Sequence, residues 1–586
     1  MRLTWNRPRW SLVALLAFAA SVRLIGLNWD QNHHFHPDER AIASAIERIS
    51  FVPLQLNPQF FAYGSFPFYV TRLVTSALGL IQRWFAGYDG IILTGRALSA
   101  LWGTATVALL AYLGTRLYGR RAGLLAGFLL AATVLHVQNS HFAVNDVPLT
   151  FLVLLALTLL IQAVQSGRLL HFLAAGFSIG LAVATKFSAL PILLPLAVAA
   201  FFRWRVEERK ARPLVYALGA GVLAIVGFFV GQPYAILDSR AYFHDILEQS
   251  RMVRSAGIFP YTNQYVGTPK YLYDLGQMIL WGMGPLLGIA AVSGTIWLFS
   301  RGIRKVSPAE WVLLSWVVPL FVVTGSFDVK YLRYLLPIYP ILILWGAAGL
   351  DRWWQRSSLG RTAALAVSGG TALWLLAFLA IYVRPHTVVT ASEWFYSHVP
   401  AGTKVAVPHW EEGFPFPLPD RSPDLYSVSQ MPYYEPDTSG KIQLISQGLS
   451  KADYVVFPTK RIYGSVTRAP AKFPMMSRGL YRLFAGDLGY TLVRDFSSRP
   501  RLLGIEVPSE LADESFSVYD HPRVLIFRNT GHLDTGEIER RILDGSPSRP
   551  LRRSDLLLAR ATSAPVTSAA AEHVRPATER AALPAA

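Results

Sequence analysis

A run of charged residues, His36-Pro37-Asp38-Glu39-Arg40, follows directly on the first apolar segment of the chain. Carboxylates are costly to hold beside hydrocarbon, so acids at the mouth of a membrane span indicate function by default. A carboxylate there can act as a general base that takes a proton from a reacting hydroxyl. Acids in a first helical turn also stabilise the helix dipole without further purpose. We interpret Asp38 and Glu39 as catalytic residues, and either of them could be the base.

A further acid, Asp146, stands at the beginning of a later apolar run, with His141 and Asn145 before it and Pro148 after it. A plain helix N-terminus with proline in its first turn has the same pattern. The polar cluster at the end of an apolar run nevertheless favours a third catalytic residue. If Asp146 lies on the same side of the membrane as Asp38, we expect an enzyme; on the opposite side, the acids suit a transporter or a scaffold.

Three cations, Lys186, Lys330 and Arg333, also lie at the ends of apolar runs. Long basic side chains often reach from such positions to the membrane surface without binding anything. Basic residues are usually concentrated in cytoplasmic loops. On the external side of a membrane they are therefore unusual and favour an anionic partner. Arginine binds phosphate through two parallel hydrogen bonds, so these cations are candidates for holding a phosphate.

The loop 232–270 contains a helix-like stretch that places His244 and Arg251 on its polar side, where they could roof the site or contact an acceptor. His36, Glu39 and His244 are candidate ligands of a divalent metal ion, although their spacing matches no metal motif. No cofactor is required by the sequence. The chain has no cysteine, which excludes thiolate metal sites and cysteine nucleophiles. It also contains no Walker loop, which argues against nucleotide hydrolysis on the chain itself.

The elements that must position these residues are membrane helices. Of the 586 residues, 52% are hydrophobic and only 16% are charged, whereas a soluble chain carries roughly a quarter of charged residues. The composition predicts a polytopic α-helical membrane protein of about 11–13 transmembrane helices. The net charge of +18 lies mostly in short loops, which indicates membrane topology rather than binding to nucleic acid. The predicted spans are 10–27, 95–114, 122–138, 147–165, 169–186, 187–202, 213–231, 272–299, 309–325, 334–350 and 362–383.

A further apolar stretch, 65–82, is ambiguous because Pro67 and Arg72 interrupt it. The basic loops can all be cytoplasmic only if this stretch does not cross the membrane, so 28–94 is predicted to be one long external loop with juxtamembrane helices. Asp38, Glu39 and Asp146 then share the external face, and the N-terminus is cytoplasmic. Residues 1–384 form the transmembrane domain and 385–545 a soluble extracytoplasmic α+β domain. The tail, 546–586, is predicted to be disordered.

These features resemble the C-type (GT-C) superfamily of membrane glycosyltransferases, in particular glycosyltransferase family 39, with the protein O-mannosyltransferases and the bacterial aminoarabinose transferases. The resemblance covers about 1–350 and rests on the order and topology of short motifs. These are Asp38-Glu39, the loop with Asp146, the pair Thr185-Lys186, and the run from Lys330 through Arg333-Tyr334 to Pro337. Ser65-Phe66-Pro67 departs from the Lys-Pro-Pro run of the aminoarabinose transferases, which argues against lipid A as the acceptor.

The resemblance implies an enzyme of a bacterial plasma membrane that transfers a hexose or pentose from a polyprenyl-phosphate donor, with inversion, to a hydroxyl outside the cell. The acceptor could be a protein, a glycolipid or a wall polymer. Because the leaving phosphate is weakly basic, it needs charge stabilisation by Lys186, Arg333 and Lys330 rather than a proton. One carboxylate base then suffices, and we assign that role to Asp38, with Glu39 and Asp146 orienting the acceptor or a metal ion. A transporter or lipid flippase that uses the same acids for coupling is the alternative.

Overall fold

The apolar runs of the first two thirds of the chain form helices, as expected where the backbone must satisfy its own hydrogen bonds in lipid. The computed structural model describes residues 10–545 and 556–557. A small two-stranded ribbon pairs β1 (Ser50–Phe51) with β2 (Leu54–Gln55). The helices up to residue 379 are α1 (Trp10–Leu24), α2 (Pro37–Glu47), α3 (Phe66–Gly79), α4 (Tyr88–Tyr118), α5 (Arg120–Ala131), α6 (Val134–Ser140), α7 (Asp146–Ser166), α8 (Leu169–Thr185), α9 (Leu193–Val206), α10 (Ala211–Gly231), α11 (Tyr234–Leu237), α12 (Ser239–Arg254), α13 (Leu272–Gln277), α14 (Pro285–Ser300), α15 (Pro308–Gly325), α16 (Tyr339–Trp354) and α17 (Ser358–Leu379).

Within the described residues, seven helices are long and apolar enough to cross a membrane, and an eighth is added if the bent pair α5 and α6 counts as one span. Three shorter apolar helices, α1, α8 and α14, accompany them. The eleven segments predicted as spans all fall on these helices. Two of them begin as 3₁₀ turns, Phe187–Ile192 before α9 and Leu332–Ile338 before α16. The chain is therefore a multi-pass membrane protein.

The bend between α5 and α6 is stabilised by a buried arginine. The two helices meet at 59°, and the break frees backbone carbonyl groups at the end of α5. Arg23 donates to the carbonyl oxygen of Ala131 at 3.3 Å and to Nδ1 of His136, on α6, at 2.9 Å. Non-helical backbone at membrane depth requires such internal partners because no water is present to supply them.

The ambiguous stretch 65–82 contains α3, and the residues on its two sides contact each other. Before α3, Nε2 of His34 contacts Asp89 at 2.8 Å, and the carbonyl oxygen of Arg40 accepts a hydrogen bond from Tyr88 at 3.3 Å. Tyr88 and Asp89 are the first residues of α4, after α3. The residues before and after α3 therefore meet at one end of the bundle.

The region after α17 has an α+β fold with a five-stranded mixed sheet in the order β4-β3-β5-β9-β6. Strand β3 pairs in parallel with β4 and β5, whereas β9 is antiparallel to β5 and β6. Strand β9 begins at Val524. The elements are α18 (Thr387–His398), β3 (Lys404–Pro408), β4 (Ser427–Met431), α19 (Ser439–Lys451), β5 (Tyr454–Phe457), α20 (Arg461–Val466), α21 (Pro474–Ala485), β6 (Tyr490–Phe496), β7 (Arg501–Leu502), β8 (Ile505–Glu506), α22 (Glu514–Ser517), β9 (Val524–Asn529) and α23 (Thr535–Leu543).

The predicted tail, 546–586, lies outside the described residues except for Leu556 and Leu557, which are buried.

The α+β region is fixed to the helical bundle by polar contacts. Asp520 accepts hydrogen bonds from Gln138 on α6 at 3.0 Å and from Tyr382, just after α17, at 2.8 Å. Its other oxygen lies 2.5 Å from Nδ1 of His521. A second connection joins Arg40 on α2 to Glu412 through two hydrogen bonds of 3.1 and 2.7 Å. These contacts place the loop after β3 and the segment before β9 directly over the end of the bundle that carries α2.

Candidate active site

Two carboxylates and two cations form one cluster at this end of the bundle. Asp38 Oδ2 lies 2.6 Å from Nη2 of Arg333, and Asp146 Oδ2 lies 3.9 Å from Nε of the same arginine. The other oxygen of Asp146 accepts a hydrogen bond from Lys186 Nζ at 2.7 Å. Arg333 therefore stands between the two acids, and Asp38 and Asp146 share one side of the membrane bundle.

Each member of the cluster comes from an element end. Asp38 and Asp146 lie in the first turns of α2 and α7, where the helix dipole favours negative charge. Lys186 directly follows α8, and Arg333 belongs to the 3₁₀ turn that precedes α16. Because element ends present side chains at the membrane surface, residues almost 300 positions apart can meet there.

Tyrosine rings line the cluster. The hydroxyl of Tyr63 lies 3.4 Å from Nη2 of Arg333. Lys186 Nζ stands 5.0 Å from the ring centre of Tyr334, and the Arg333 guanidinium stands 5.5 Å from that of Tyr331. Cations over aromatic faces are stabilised by the ring quadrupole, so both positive groups are held in place.

The protonation state of Asp38 is set by its neighbours. Burial by itself would raise the pKa of Asp38, but Arg333 and the Tyr63 hydroxyl outweigh burial and lower the pKa to about 2. Asp38 is only partly covered, with 24% of its side chain exposed. It is therefore an ionised carboxylate that solvent can reach.

Glu39 faces away from this cluster. Both of its oxygens accept hydrogen bonds from Arg96, at 2.9 and 2.6 Å, and one also accepts the backbone N–H of Ala143 at 2.6 Å. Arg96 binds Asp30 with two further bonds of 2.9 and 2.6 Å. Asp30, Glu39 and Arg96 are each at most 1% exposed, so they form a closed ionic group that holds α2 against α4.

Lys330 also lies apart from the cluster. Its Nζ donates to the hydroxyl of Thr268 at 3.0 Å and to the carbonyl oxygen of Asp328 at 2.9 Å. Burial lowers the pKa of Lys330. The expectation that Lys330 and Arg333 act on the same phosphate is therefore not met by the geometry, although only three positions separate them.

The structure does not bring together the three candidate metal ligands. His36 is buried, its Nδ1 accepts the backbone N–H of Asp38 at 3.2 Å, and Glu39 is bound to Arg96. His244 and Arg251 are both exposed on α12. Among the described residues, one group of three possible ligands has its atoms within 4.8 Å of one another, namely His244, Asp245 and Glu248. Acidic groups on a surface commonly hold no ion, so the donor set gives no support for a resident metal.

Comparison with known proteins connects this architecture to membrane glycosyltransferases. Residues 91–230 match a family model described as dolichyl-phosphate-mannose-protein mannosyltransferase. A 96-residue segment is 34% identical to the Bacillus subtilis protein named "Putative mannosyltransferase YkcB"; it covers 16% of this chain and 13% of that protein. The archaeal oligosaccharyltransferase AglB from Archaeoglobus fulgidus, solved with an inhibitory peptide and dolichol-phosphate, superposes with a TM-score of 0.50 at 15% identity, over 81% of this chain and 73% of that one. The fold of the chain is therefore similar to that of GT-C membrane enzymes.

ArnT from Cupriavidus metallidurans, solved with undecaprenyl phosphate, also matches, with a TM-score of 0.46 and 14% identity over 89% of this chain and 99% of that one. The family match over 91–230 includes Asp146 and Lys186. It does not include Asp38 or Arg333.

The end of the helical bundle that carries the cluster is covered by residues of the α+β region that were not predicted as site residues. The ring of Tyr519 stacks on His36 with centres 3.9 Å apart. Nearby, Arg461 donates to Glu514 at 2.8 Å, and Thr459 donates to Glu411 at 2.9 Å.

The charges of the bundle and of the covering region act on the same tyrosine. Burial raises the pKa of Tyr519; Asp38 raises and Arg333 lowers it from the bundle, while Glu514 raises and Arg461 lowers it from the covering region. Tyr519 therefore lies between the two charged groups. Its position could have been suspected from the motif Tyr519-Asp520-His521-Pro522, which combines ionisable residues in an otherwise ordinary segment.

The covering region also contains a carboxyl group with a raised pKa. Burial raises the pKa of Glu411 to about 7, and Arg461 and Thr459 oppose that shift. A carboxyl group of this kind can donate or accept a proton near neutral pH.

Proposed function

We propose that this protein is a membrane glycosyltransferase that moves a sugar from a polyprenyl-phosphate donor to an acceptor hydroxyl on the extracytoplasmic face, with inversion at the sugar. The observation that carries the proposal is the meeting of Asp38, Asp146, Lys186 and Arg333 at one end of a GT-C bundle. A phosphate-linked donor needs cations for its leaving group, and an incoming hydroxyl needs a base; both are present within one cluster.

Lys186 and Arg333 are proposed to bind the donor phosphate. Both lie where a phosphate at headgroup depth would reach them, since they occupy the ends of apolar helices. During transfer, the bond between the anomeric carbon and the phosphate oxygen breaks, and the polyprenyl phosphate leaves with the electron pair. Fixed cations stabilise that developing charge without protonation of the leaving oxygen.

Asp38 is proposed to take the proton of the acceptor hydroxyl as its oxygen attacks the anomeric carbon. A base with a pKa near 2 is weak at neutral pH, and the ideal base has a pKa near the working pH. Since Arg333 is the main cause of the low pKa of Asp38, a phosphate that engages Arg333 would raise it. Donor binding would thus activate the base, and Asp38 would stay a weak base until a donor phosphate is bound.

Glu39 and Lys330 receive structural roles in this proposal. Glu39 has both oxygens occupied by Arg96 and Ala143, which leaves Asp38 as the better candidate for the base. Asp146 orients the two cations, since it contacts Lys186 and approaches Arg333.

The test uses the full-length protein in lipid nanodiscs with labelled undecaprenyl-phosphate hexose and pentose donors. We expect release of undecaprenyl phosphate that depends on donor and acceptor, and its loss in Arg333→Met. Arg240→Met, on the exposed side of α12, is the matched control and should retain activity. The same protein in sealed vesicles tests the alternative of a transporter. Movement of intact labelled donor across the bilayer, without cleavage of the sugar–phosphate bond, would overturn the proposal.

A further inference from the structure

A short apolar hairpin projects from the α+β region. Strands β7 and β8 are joined by Leu503 and Gly504, both with positive φ (50° and 85°), as a tight two-residue hairpin turn requires. Leu503 is 94% exposed and Ile505 is 73% exposed. Two large apolar side chains at the tip of a hairpin are costly in water, so their exposure indicates a partner surface.

The base of this hairpin is rigidly held. The N–H of Val507 donates to the carbonyl oxygen of Pro500 at 2.9 Å, and Arg499 binds Glu510 with contacts of 2.7 and 2.6 Å. Arg384, five positions after the end of α17, donates to the carbonyl oxygen of Arg499 at 2.7 Å. The tip is therefore presented at a fixed position relative to the bundle.

The hairpin lies beside a helix long enough to cross the membrane. Strand β7 packs against α17, whose length and apolar composition suit a span. Near the end of α17, Leu373 and Leu376 are about half exposed, and Val383 is 67% exposed. Exposed apolar side chains on a membrane helix face lipid, so the hairpin tip continues a lipid-facing surface.

The charges around the tip suit a membrane surface. Arg501 has 54% of its side chain exposed and lies 3.9 Å from Glu506, and Arg384 and Arg499 contact each other at the base of the hairpin. Arginine side chains at this level can reach the phosphates of lipid headgroups while their stems stay in apolar surroundings. Cations directly above an apolar tip match the order of a lipid leaflet, with headgroups above hydrocarbon.

We propose that the hairpin 500–507 inserts Leu503 and Ile505 into the outer part of the lipid bilayer beside α17. The insertion fixes the α+β region on the membrane at a second place, away from its contacts with α2 and α6. The hairpin is also connected to the covering residues. Glu510, which binds Arg499, accepts a hydrogen bond from Lys460 at its carbonyl oxygen, and Lys460 directly precedes Arg461. The proposal depends on the membrane fold and not on the reaction.

The test exploits the absence of cysteine from the chain. Leu503→Cys and Ile505→Cys are labelled with an environment-sensitive fluorophore in vesicles of phosphatidylcholine and phosphatidylglycerol. Leu376→Cys on α17 is the lipid-facing reference, and Leu444→Cys, 60% exposed on α19, is the water-facing control. We expect spin-labelled lipid to quench the labels at 503 and 505 as strongly as the label at 376, with little quenching at 444.

Two results would overturn the proposal. Quenching at 503 by aqueous iodide as strong as at 444, with none by lipid, would place the tip in water. A blue-shifted label at 503 that neither lipid nor iodide quenches would place the tip in a contact with a second protein copy. All variants are measured by the quenching of a label at a known position and not by turnover. Failure of the proposed reaction would therefore leave this result unaffected.

Discussion

Asp38 and Glu39 are neighbours in the sequence, yet they belong to two ionic groups of opposite character. Glu39 is fully buried, and Arg96 binds both of its oxygens. Asp38 lies 2.6 Å from Arg333, and a quarter of its side chain is exposed. Both groups contain two carboxylates around one arginine, but only the group of Asp38 includes a second cation, Lys186, and reaches solvent.

The difference separates a group that stabilises from a group that can react. A closed set of buried charges is expensive to assemble and more expensive to disrupt, so it holds elements in one arrangement. An open set with exposed oxygen atoms can exchange its partners for those of a substrate. Arg96 thus has a structural role beside Glu39, and Arg333 has a proposed chemical role beside Asp38.

The largest expected effect is on turnover in Asp38→Asn. Loss of the base should reduce transfer by about 10²–10⁴-fold, while the protein remains folded because the closed group around Arg96 is intact. Turnover is measured with labelled undecaprenyl-phosphate donors, and thermal unfolding is followed in parallel. A decrease of less than tenfold would remove Asp38 from the role of base.

Glu39→Gln should instead affect stability. Breaking a buried ion pair costs about 3–5 kcal/mol, and because Arg96 keeps Asp30, we expect about 3 kcal/mol. The loss is measured as a lower unfolding temperature in nanodiscs, with Glu47→Gln, exposed on the same helix, as the control. If turnover per folded molecule falls as far as in Asp38→Asn, the separation of the two groups is wrong.

Lys186→Met tests the second cation of the open group. A hydrogen bond to a charged group contributes about 1.5–3 kcal/mol, so the KM for the donor should rise roughly 10- to 100-fold. Lys330→Met is the matched comparison, since Lys330 binds Thr268 and not the cluster, and it should leave the KM for the donor unchanged. Equal effects of both variants would place Lys330 in the donor site after all.

The smallest expected effect is a shift in pH dependence. The acid limb of kcat/KM reports the free enzyme, in which Asp38 has a pKa of about 2 and stays ionised as the pH falls to the lower end of the usable range. The limb of kcat reports the donor complex, in which the phosphate competes for Arg333 and the pKa of Asp38 rises. We therefore expect activity to fall at higher pH in kcat than in kcat/KM. Coincident limbs would show that donor binding does not activate the base.

The membrane fold was predictable from the sequence because a span is a local property of length and apolarity. The expected segments coincide with apolar helices, although 122–138 forms two helices that meet at 59°. The treatment of 65–82 as a segment that does not cross stays a prediction. The approach of Asp38, Asp146, Lys186 and Arg333 was expected for a similar reason. Each residue ends an apolar run, and such ends meet at the membrane surface.

The distinction between Asp38 and Glu39 could not be predicted, because it depends on a partner 57 positions away. Arg96 lies inside a predicted span, where an arginine indicates a buried acidic partner. This position was the signal available in the sequence that Glu39 could have a structural role. The covering residues Arg461 and Glu411 could not be predicted for another reason. Their position depends on how the α+β region packs on the bundle, which no local pattern records.

The bond between Arg40 and Glu412 has a consequence for how the protein is made. Synthesis proceeds from the N-terminus, so α2 is complete long before Glu412 and Tyr519 exist. During that interval α2, which carries Asp38, lacks Glu412 beside Arg40, and Tyr519 is absent from the face of His36. The last third of the chain therefore completes the surroundings of Asp38, and a polypeptide cut short before it would be inserted in the membrane without a finished site.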